Sequence, residues 1–243
     1  MNTPSKNNSR FLLAGDSALV IQFGEMVDAR INQHVRKLAA IVKHENITGI
    51  VDLVPTMRSL MVHYDPLYIS QSELKTRIAP LLEKEITLDD DINRWRIPVC
   101  YENEYAPDIE DLSKSLGVSA SEIIKQHTSV ELEVFMMGFL PGFPYLGLLP
   151  EIFDLPRRVE PRVHVPPRSI SVAARQTTIY TIDSPGGWHL IGQTPVDFYH
   201  RERRNPVLVK AGDKVTFFAI NSEEYPSVRR ALMADEYPLM MDC

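Results

Sequence analysis

The sequence is short of cysteine, of long apolar runs and of net positive charge. Only Cys100 and Cys243 are present, which excludes a disulfide framework and a metal site with four cysteine ligands. No segment approaches the roughly 20 consecutive apolar residues that a membrane-spanning helix requires, and residues 1–10 lack the apolar centre of a secretory signal. We therefore expect a cytoplasmic protein with no membrane segment.

Net charge and motif content argue against several classes of function. The formal net charge is -6, whereas proteins that bind nucleic acid usually present a basic face to the phosphates. Residues 112–128 resemble a helix-turn-helix around Gly117, but the second helix offers only Lys125 and Gln126, next to the acidic Glu122. The sequence lacks a P-loop, a nucleophile elbow, a zinc-binding helix motif and a dinucleotide fingerprint, and its seven histidines have no metal-ligand spacing. We expect neither a nucleic-acid partner nor a metal site.

Residues 1–92 are predicted to form a small α+β domain. Four short apolar segments bounded by Gly, Pro and Asp are typical of strands. These segments are residues 11–13, 18–21, 47–54 and 59–64. Apolar residues at helical spacing between positions 31 and 42 predict one helix. Ser70 and Glu73 match the capping box of a second helix, which Pro80 should kink. This order predicts a small sheet with two helices on one face, and three consecutive aspartates mark its end.

Residues 93–243 are predicted to form a mostly β domain. Two short helices are expected within residues 107–127, joined at Gly117. Short apolar segments separated by Pro, Gly and Asn indicate a closed or nearly closed β-barrel. The strand candidates are residues 95–101, 130–137, 169–174, 178–183, 188–192, 207–210 and 214–220. In the second of these, apolar side chains alternate with Glu131 and Glu133, as in a half-buried strand. A final helix at 228–234 and a loose tail at 237–241 complete the chain.

The segment 138–150 is rich in turn residues and yet strongly apolar. Prolines and glycines give it a restricted backbone, while Phe139, Phe143 and Tyr145 supply rigid contact area. One interpretation is a surface that binds a ligand or a partner protein. The other is that these aromatic side chains close one end of the barrel, and the sequence does not separate the two.

Several arginines lie close together in a chain that is acidic overall. They are Arg157, Arg158, Arg162, Arg168 and Arg175. A guanidinium holds a carboxylate or phosphate through two parallel hydrogen bonds, so a local anion site is one interpretation and a solvated basic face is the other. The run at 184–187 predicts a tight turn whose amides hold an anion or simply connect two strands. Asp52, Asp183 and Asp197 are candidate bases without an identifiable partner.

A series of short motifs resembles a known family. The motifs are residues 138–149, Pro156-Arg157, Pro161-Arg162, Val165-Pro166, Gln176-Thr177, Ser184-Pro185-Gly186-Gly187-Trp188 and Leu190-Ile191-Gly192. In this order they resemble the allophanate hydrolase subunit 1 family, which includes the B subunit of 5-oxoprolinase and the Kip-type inhibitors of sporulation histidine kinases. The resemblance covers residues 10–220, nearly the whole chain.

The resemblance implies an α+β N-terminal domain followed by a cyclophilin-like β-barrel. It implies an enzyme component that is inactive alone and joins two partners. One is an allophanate hydrolase subunit 2-type protein, which is the C subunit of 5-oxoprolinase, and the other is the A subunit of the same enzyme. Together they would open 5-oxoproline to glutamate with ATP and Mg²⁺, the ATP being held by this chain or jointly with the partner. The alternative is a Kip-type regulator that inhibits a sensor histidine kinase.

The resemblance also suggests which residues form the sites. Those expected to bind substrate or ATP are Arg157, Arg162, Gln176, Thr177, Ser184, Pro185, Gly186, Gly187 and Trp188. Those expected to bind a partner protein are Phe139, Pro141, Gly142, Phe143 and Tyr145. No nucleophile or catalytic base is assigned.

The sequence departs from the family at positions that are usually glycine or arginine. Pro167-Arg168 stands where relatives read Ala-Gly, and Gln193 replaces a usual arginine. Ala174-Arg175 and Thr178 flank the Gln-Thr pair where relatives place glycines. Side chains at these positions would crowd a ligand that lies close to the backbone, so the departures favour a change of substrate or activity.

Overall fold

The computed structural model describes residues 9–84, 92–234 and 236–239. The chain divides into two compact units, Met1–Asp91 and Ile92–Cys243. The acidic run at 89–91, which the sequence suggested as a domain boundary, lies outside the described residues. Within those residues, every helix falls short of the length and apolar character needed to cross a bilayer.

The first unit is a four-stranded antiparallel sheet with two α-helices. Its elements are β1 Arg10–Leu13, β2 Ala18–Gln22, α1 Ala29–Glu45, β3 Ile50–Pro55, β4 Ser59–Tyr64 and α2 Gln71–Ile78. The strand order is β1-β2-β4-β3. Both helices share one core cluster with alternate residues of β2 and β4, so they pack on the same face of the sheet. The predicted small sheet with helices is confirmed.

Local signals set the helix ends in this unit. The Asp28 carboxylate accepts hydrogen bonds from the N–H groups of Arg30 and Ile31 and so starts α1. The C-cap residue Asn46, in a left-handed conformation with φ 46°, follows the last helical residue. The Ser70 hydroxyl caps α2 as expected. Pro80 does not kink α2, because the α-helix ends at Ile78 and a 3-10 segment, Ala79–Glu83, follows.

The second unit contains a closed barrel of seven strands. In barrel order these are β10 Gln176–Ile179, β7 Pro144–Gly147, β6 Glu131–Met137, β13 Lys214–Ile220, β5 Arg94–Cys100, β12 His189–Gln193 and β9 Ser169–Ala173. Outside the barrel, β8 Arg162–Val165 and β11 Ser184–Gly186 form a two-stranded ribbon. The helices are α3 Ile109–Leu116, α4 Ala120–Thr128 and α5 Tyr225–Met233. The predicted barrel is confirmed.

Three strand predictions in this unit were wrong in detail. Residues 207–210 form no strand, and only an isolated bridge joins Val207 to Tyr199. The strand expected at 178–183 is β10, which starts earlier and ends at Ile179. In β6 a register shift between Val134 and Met136 breaks the alternation and buries Phe135. The tail expected at 237–241 is described only as far as residue 239.

Three of the residues that depart from the family pattern have a backbone conformation that normally favours glycine. Ala174 (φ 46°) and Arg175 (φ 59°) form the two-residue loop between β9 and β10, and positive φ at both positions is the signature of a type I′ hairpin. Arg168 also has positive φ, at 71°. The backbone here therefore keeps a glycine-like conformation although the residues carry side chains.

A buried polar chain crosses the barrel core. His127 is fully buried, with Nδ1 2.8 Å from the Tyr101 hydroxyl and Nε2 3.2 Å from the Thr177 hydroxyl. Its ring stacks on Phe217 at a centroid distance of 4.7 Å. Burial lowers the pKa of His127 to about 3. The imidazole is therefore neutral at physiological pH, which lets it act as donor at one nitrogen and acceptor at the other.

We expect the free energy of unfolding to decrease as the pH falls below the ordinary histidine pKa. The folded protein disfavours protonated His127, whereas the unfolded chain binds that proton near pH 6.5. The stability that neutral His127 contributes is therefore complete above about pH 6.5 and is lost as the pH falls. The loss is about 2 kcal/mol between pH 6.5 and pH 5. Urea unfolding of the unaltered protein and of His127→Gln at several pH values measures it, with exposed His164→Gln as control. Equal pH slopes with and without His127 would contradict this account.

Candidate functional site

Asp108 anchors the start of α3 to strand β12. It occupies the N-cap position but makes no side-chain capping bond. Its carboxylate instead accepts a hydrogen bond from the main-chain N–H of Leu190 at 2.7 Å, and its own N–H donates to the Leu190 carbonyl at 3.0 Å. Asp108 is only 3% exposed. These bonds fix a buried carboxylate against the wall of the barrel.

Two arginines bind this carboxylate. Arg162, the first residue of β8, donates from Nη1 to Oδ2 at 2.9 Å and from Nη2 to Oδ1 at 2.6 Å. Arg158 donates from Nη1 to Oδ1 at 2.9 Å. The two-bond fork of Arg162 is the strongest geometry available to a guanidinium and a carboxylate. Since two positive charges face one negative charge, the cluster keeps an excess positive charge.

Arg157 adds a third guanidinium, on the exposed side. Its Cζ lies 5.8 Å from the centre of the Trp188 ring, within the range of a cation–π contact. Trp188 is buried and meets the Tyr145 ring edge-on at 6.0 Å. Of the three arginines, Arg157 is the exposed one, so it is the best placed to reach an anionic ligand.

Two phenols lie close to these arginines. Burial raises the pKa of Tyr145 and of Tyr180, and the nearby positive charge of Arg157 opposes the rise in both. Both phenols are therefore protonated at neutral pH and can donate a hydrogen bond. The Tyr180 hydroxyl also reaches the backbone of β11, because a Cβ built on Gly186 would lie 2.0 Å from it.

The run at 184–187 is not the tight turn that the sequence suggested. Residues Ser184–Gly186 form β11, in which Ser184 pairs with Val165 and Gly186 pairs with Arg162. The register shift between the two pairs accommodates Pro185, which has no N–H to donate to the ladder. The Gly187 carbonyl accepts a hydrogen bond from the Arg158 N–H at 2.7 Å. The segment therefore contacts the backbone at Arg158 and Arg162, and anion binding by its amides stays a prediction.

The Gln176-Thr177 pair lies in the barrel wall, away from solvent. Thr177 is fully buried and its hydroxyl is already paired with His127. Gln176 is 8% exposed and pairs with Ala173 and Gly147 in the barrel. The Thr177 hydroxyl is therefore engaged inside the barrel, and its role toward substrate stays a prediction.

The apolar segment 138–150 divides into an exposed tip and a buried base. Phe139 is 60% exposed and Pro141 is exposed, whereas Phe143 is 3% exposed and packs edge-on against Tyr180 at 5.1 Å. Gly142 is buried, and a Cβ there would lie 2.9 Å from the Tyr199 side chain. The tip therefore faces solvent while the base is buried, and binding of a ligand or partner by the tip stays a prediction.

Sequence reasoning missed Asp108 and Tyr180 and did not select Arg158 from the arginine group. Asp108 precedes Arg158 and Arg162 by 50 and 54 residues, so no local spacing joins them. The available signal was its place next to Pro107 at the start of a short helix, where an aspartate usually caps. The missing capping bond shows that tertiary contacts use this carboxylate instead.

We expect Asp108→Ala to destabilise the fold strongly. The substitution leaves the guanidinium groups of Arg158 and Arg162 without their buried partner, which costs about 3 to 5 kcal/mol. Asp111→Ala is the matched control, because Asp111 lies on the same helix with its side chain 82% exposed. Urea unfolding of both variants measures the difference. Similar midpoints for the two would show that the cluster is not structural.

The sequence matches the family "Carboxyltransferase domain, subdomain C and D" over residues 9–209. It is 37% identical over 223 residues to the 5-oxoprolinase B subunit of Bacillus subtilis (strain 168), covering 87% of this chain and 92% of that protein. It is 32% identical over 210 residues to the 5-oxoprolinase B subunit of Escherichia coli O157:H7, covering 86% and 95%.

Among solved structures, TTHA0988 aligns with a TM-score of 0.73 at 31% identity over 84% of this chain. This chain spans only 40% of that protein's length.

The match over most of the sequence and the two relatives above 30% identity confirm the resemblance carried by the sequence motifs. The chain belongs to the carboxyltransferase subdomain C and D family, together with proteins named as the B subunit of 5-oxoprolinase.

Proposed function

We propose that this chain is the B subunit of an ATP-dependent 5-oxoprolinase. In this role it would join the C and A subunits of that enzyme and would be inactive alone. The similarity to two proteins named as this 5-oxoprolinase component, each matched over more than nine-tenths of its length, supports the assignment. The observation on the structure that carries the proposal is the basic cluster around Asp108.

That cluster suits an anionic substrate in an otherwise acidic protein. Arg157, Arg158 and Arg162 supply three positive charges and Asp108 supplies one negative charge. Within the described residues, Arg158 Nε and Ser184 Oγ are buried without a hydrogen-bond partner. Leaving such a group unpaired costs about 1 to 3 kcal/mol, so a ligand or water that completes these bonds would be favoured. The 5-oxoproline carboxylate and the phosphates of ATP both have this chemistry.

The reaction explains why excess positive charge would be useful. The carbonyl carbon of a lactam reacts slowly with water. Transfer of the ATP γ-phosphoryl group to the lactam oxygen would activate this carbon. Water then adds to that carbon, the C–N bond breaks as nitrogen takes a proton, and phosphate leaves, giving glutamate, ADP and phosphate. Arg157, held over Trp188, would stabilise the negative charge on the oxygen or on the phosphoryl group.

Mg²⁺ would enter this reaction with ATP. In proteins it is commonly held by one or two carboxylates together with substrate phosphates. Among the described residues there is no group of three or more His, Cys, Asp or Glu side chains that could hold a metal ion. We therefore assign no residue of this chain to Mg²⁺ and derive no step through it.

The exposed tip of the segment 138–150 is the proposed contact with a partner protein of the complex. Phe139, at its centre, is 60% exposed. Hydrogen bonds within the turn hold its backbone, from Leu140 N–H to the Gly138 carbonyl and from Phe143 N–H to the Leu140 carbonyl. The Thr181 hydroxyl also bonds the Pro141 carbonyl at 2.8 Å. A large apolar side chain on a restrained backbone loses little conformational entropy when it is buried at an interface.

The test is glutamate release from 5-oxoproline and ATP by this chain purified with its candidate partners, with each component omitted in turn. Release that requires this chain supports the proposal. An assembled complex without glutamate release would overturn it and favour another amide substrate or the regulatory role.

We expect Arg157→Ala to lower kcat/KM of the complex by about tenfold to a hundredfold, because a charge-assisted contact to the reacting group is lost. Arg157 is exposed and outside the Asp108 hydrogen bonds, so thermal stability should not change. Arg201→Ala is the control, since Arg201 is also exposed. Equal turnover in the two variants would remove Arg157 from the site.

We expect Phe139→Ala to weaken binding of the partner protein without lowering the melting temperature. Phe143→Ala should instead destabilise the fold by about 3 to 5 kcal/mol, because it opens a cavity in the core. Leu67→Ala, at a side chain that is 91% exposed, is the control. Calorimetric titration with the partner and thermal unfolding separate these effects, and unchanged partner affinity for Phe139→Ala would rule out the tip as an interface.

A further inference from the structure

The second unit contains a cavity of about 970 Å³ that the proposed function does not use. Helix α5 and residues 236–239 line one part of it, and the connection from β12 to β13 lines another. Its volume is in the range of pockets that hold small organic molecules. The described residues that line it include none of those around Asp108.

One side of the cavity is apolar. Trp95, Leu208 and Leu232 line it and belong to or pack against the barrel core. The Trp95 Nε1–H donates to the Asp213 carboxylate at 3.0 Å, so the polar atom of the indole is already satisfied. Leu239 forms part of the wall, and its carbonyl accepts a hydrogen bond from the Arg96 N–H at 2.8 Å. The apolar wall is thus fixed to the barrel by main-chain and side-chain bonds.

The other side of the cavity carries positive charge. Asp197 lines it, but its carboxylate is bound by Arg229 at 2.7 Å and by Arg168 at 3.4 Å, so two cations share one anion. Arg203 donates to the Asp197 main-chain carbonyl at 2.8 Å, and this neutral acceptor does not cancel the positive charge of the guanidinium. The Glu236 carboxylate partly offsets this charge.

The rim of the cavity is basic as well. His200 and Arg203 line it and belong to an exposed segment, residues 200–207, which also contains Arg201 and Arg204. Three arginines there stand against one carboxylate, Glu202. An anion approaching this rim would therefore meet a favourable local potential even though the whole chain is acidic.

We propose that this cavity binds an organic anion with an apolar body. The charged group would bind Arg203 at the rim, and the apolar body would lie against Trp95 and Leu232. Neither feature alone would select such a ligand, since a free phosphate would leave the apolar wall exposed and a neutral hydrocarbon would leave Arg203 unused.

Anilinonaphthalene sulfonate is a suitable probe, because it joins an aromatic body to a single negative charge. Calorimetric titration of the full chain should show one saturable site. Arg203→Ala should weaken binding about tenfold, the order expected for losing one charge-assisted bond. Met233→Trp should weaken it as well, because Met233 lines the cavity, is 74% exposed, and can be enlarged without disturbing the core.

The matched control is Arg230→Ala. Arg230 is an exposed arginine on α5, the helix that carries Met233, but it does not line the cavity. This variant should bind the probe like the unaltered protein. Phenylnaphthylamine, which has the same rings without the sulfonate, should bind the Arg203→Ala variant and the unaltered protein equally. The proposal is overturned if binding does not saturate at one site, if Arg203→Ala and Arg230→Ala behave alike, or if Met233→Trp binds normally.

Discussion

The bonds to the Asp108 carboxylate hold together the parts of the second unit that matter most for its proposed function. They join the start of α3, strand β12 and the segment that leads into β8. Burying a carboxylate is unfavourable unless charged partners and hydrogen bonds compensate for lost water, and here both oxygens are compensated. The consequence is a fixed base beside which the exposed Arg157 lies over the ring of the buried Trp188.

Local charge and net charge lead to opposite expectations about the binding of anions to this protein. The net charge of -6 argues against a broad basic face, yet two regions of the second unit concentrate arginine around a single buried or half-buried carboxylate. In each region the carboxylate fixes the geometry of the guanidinium groups and leaves an excess positive charge. In the two proposed anion sites, such an arrangement would position the guanidinium groups before any ligand arrives and so reduce the entropy lost on binding.

The departures from the family pattern gain a physical meaning from the backbone. Arg168, Ala174 and Arg175 all have positive φ, so they occupy glycine-like conformations. Two of them use their side chains, because Arg168 contacts Asp197 and Arg175 Nε donates to the Leu149 carbonyl at 3.0 Å. New side-chain contacts therefore accompany the strained backbone at these positions.

The sequence alone determined the helices, the small sheet with helices, the barrel and the family, because period, capping residues and ordered motifs are local properties of the chain. It did not predict strands β7 and β8. It wrongly predicted a tight turn at 184–187, because proline and glycine are typical of turns. In the structure this run pairs with β8, a strand about 20 residues earlier, and forms β11. Only the tertiary structure separated exposed Phe139 from buried Phe143 and brought Asp108 to Arg158 and Arg162. Burial and ion pairing depend on residues that lie far apart in the chain, and no local pattern encodes those distances.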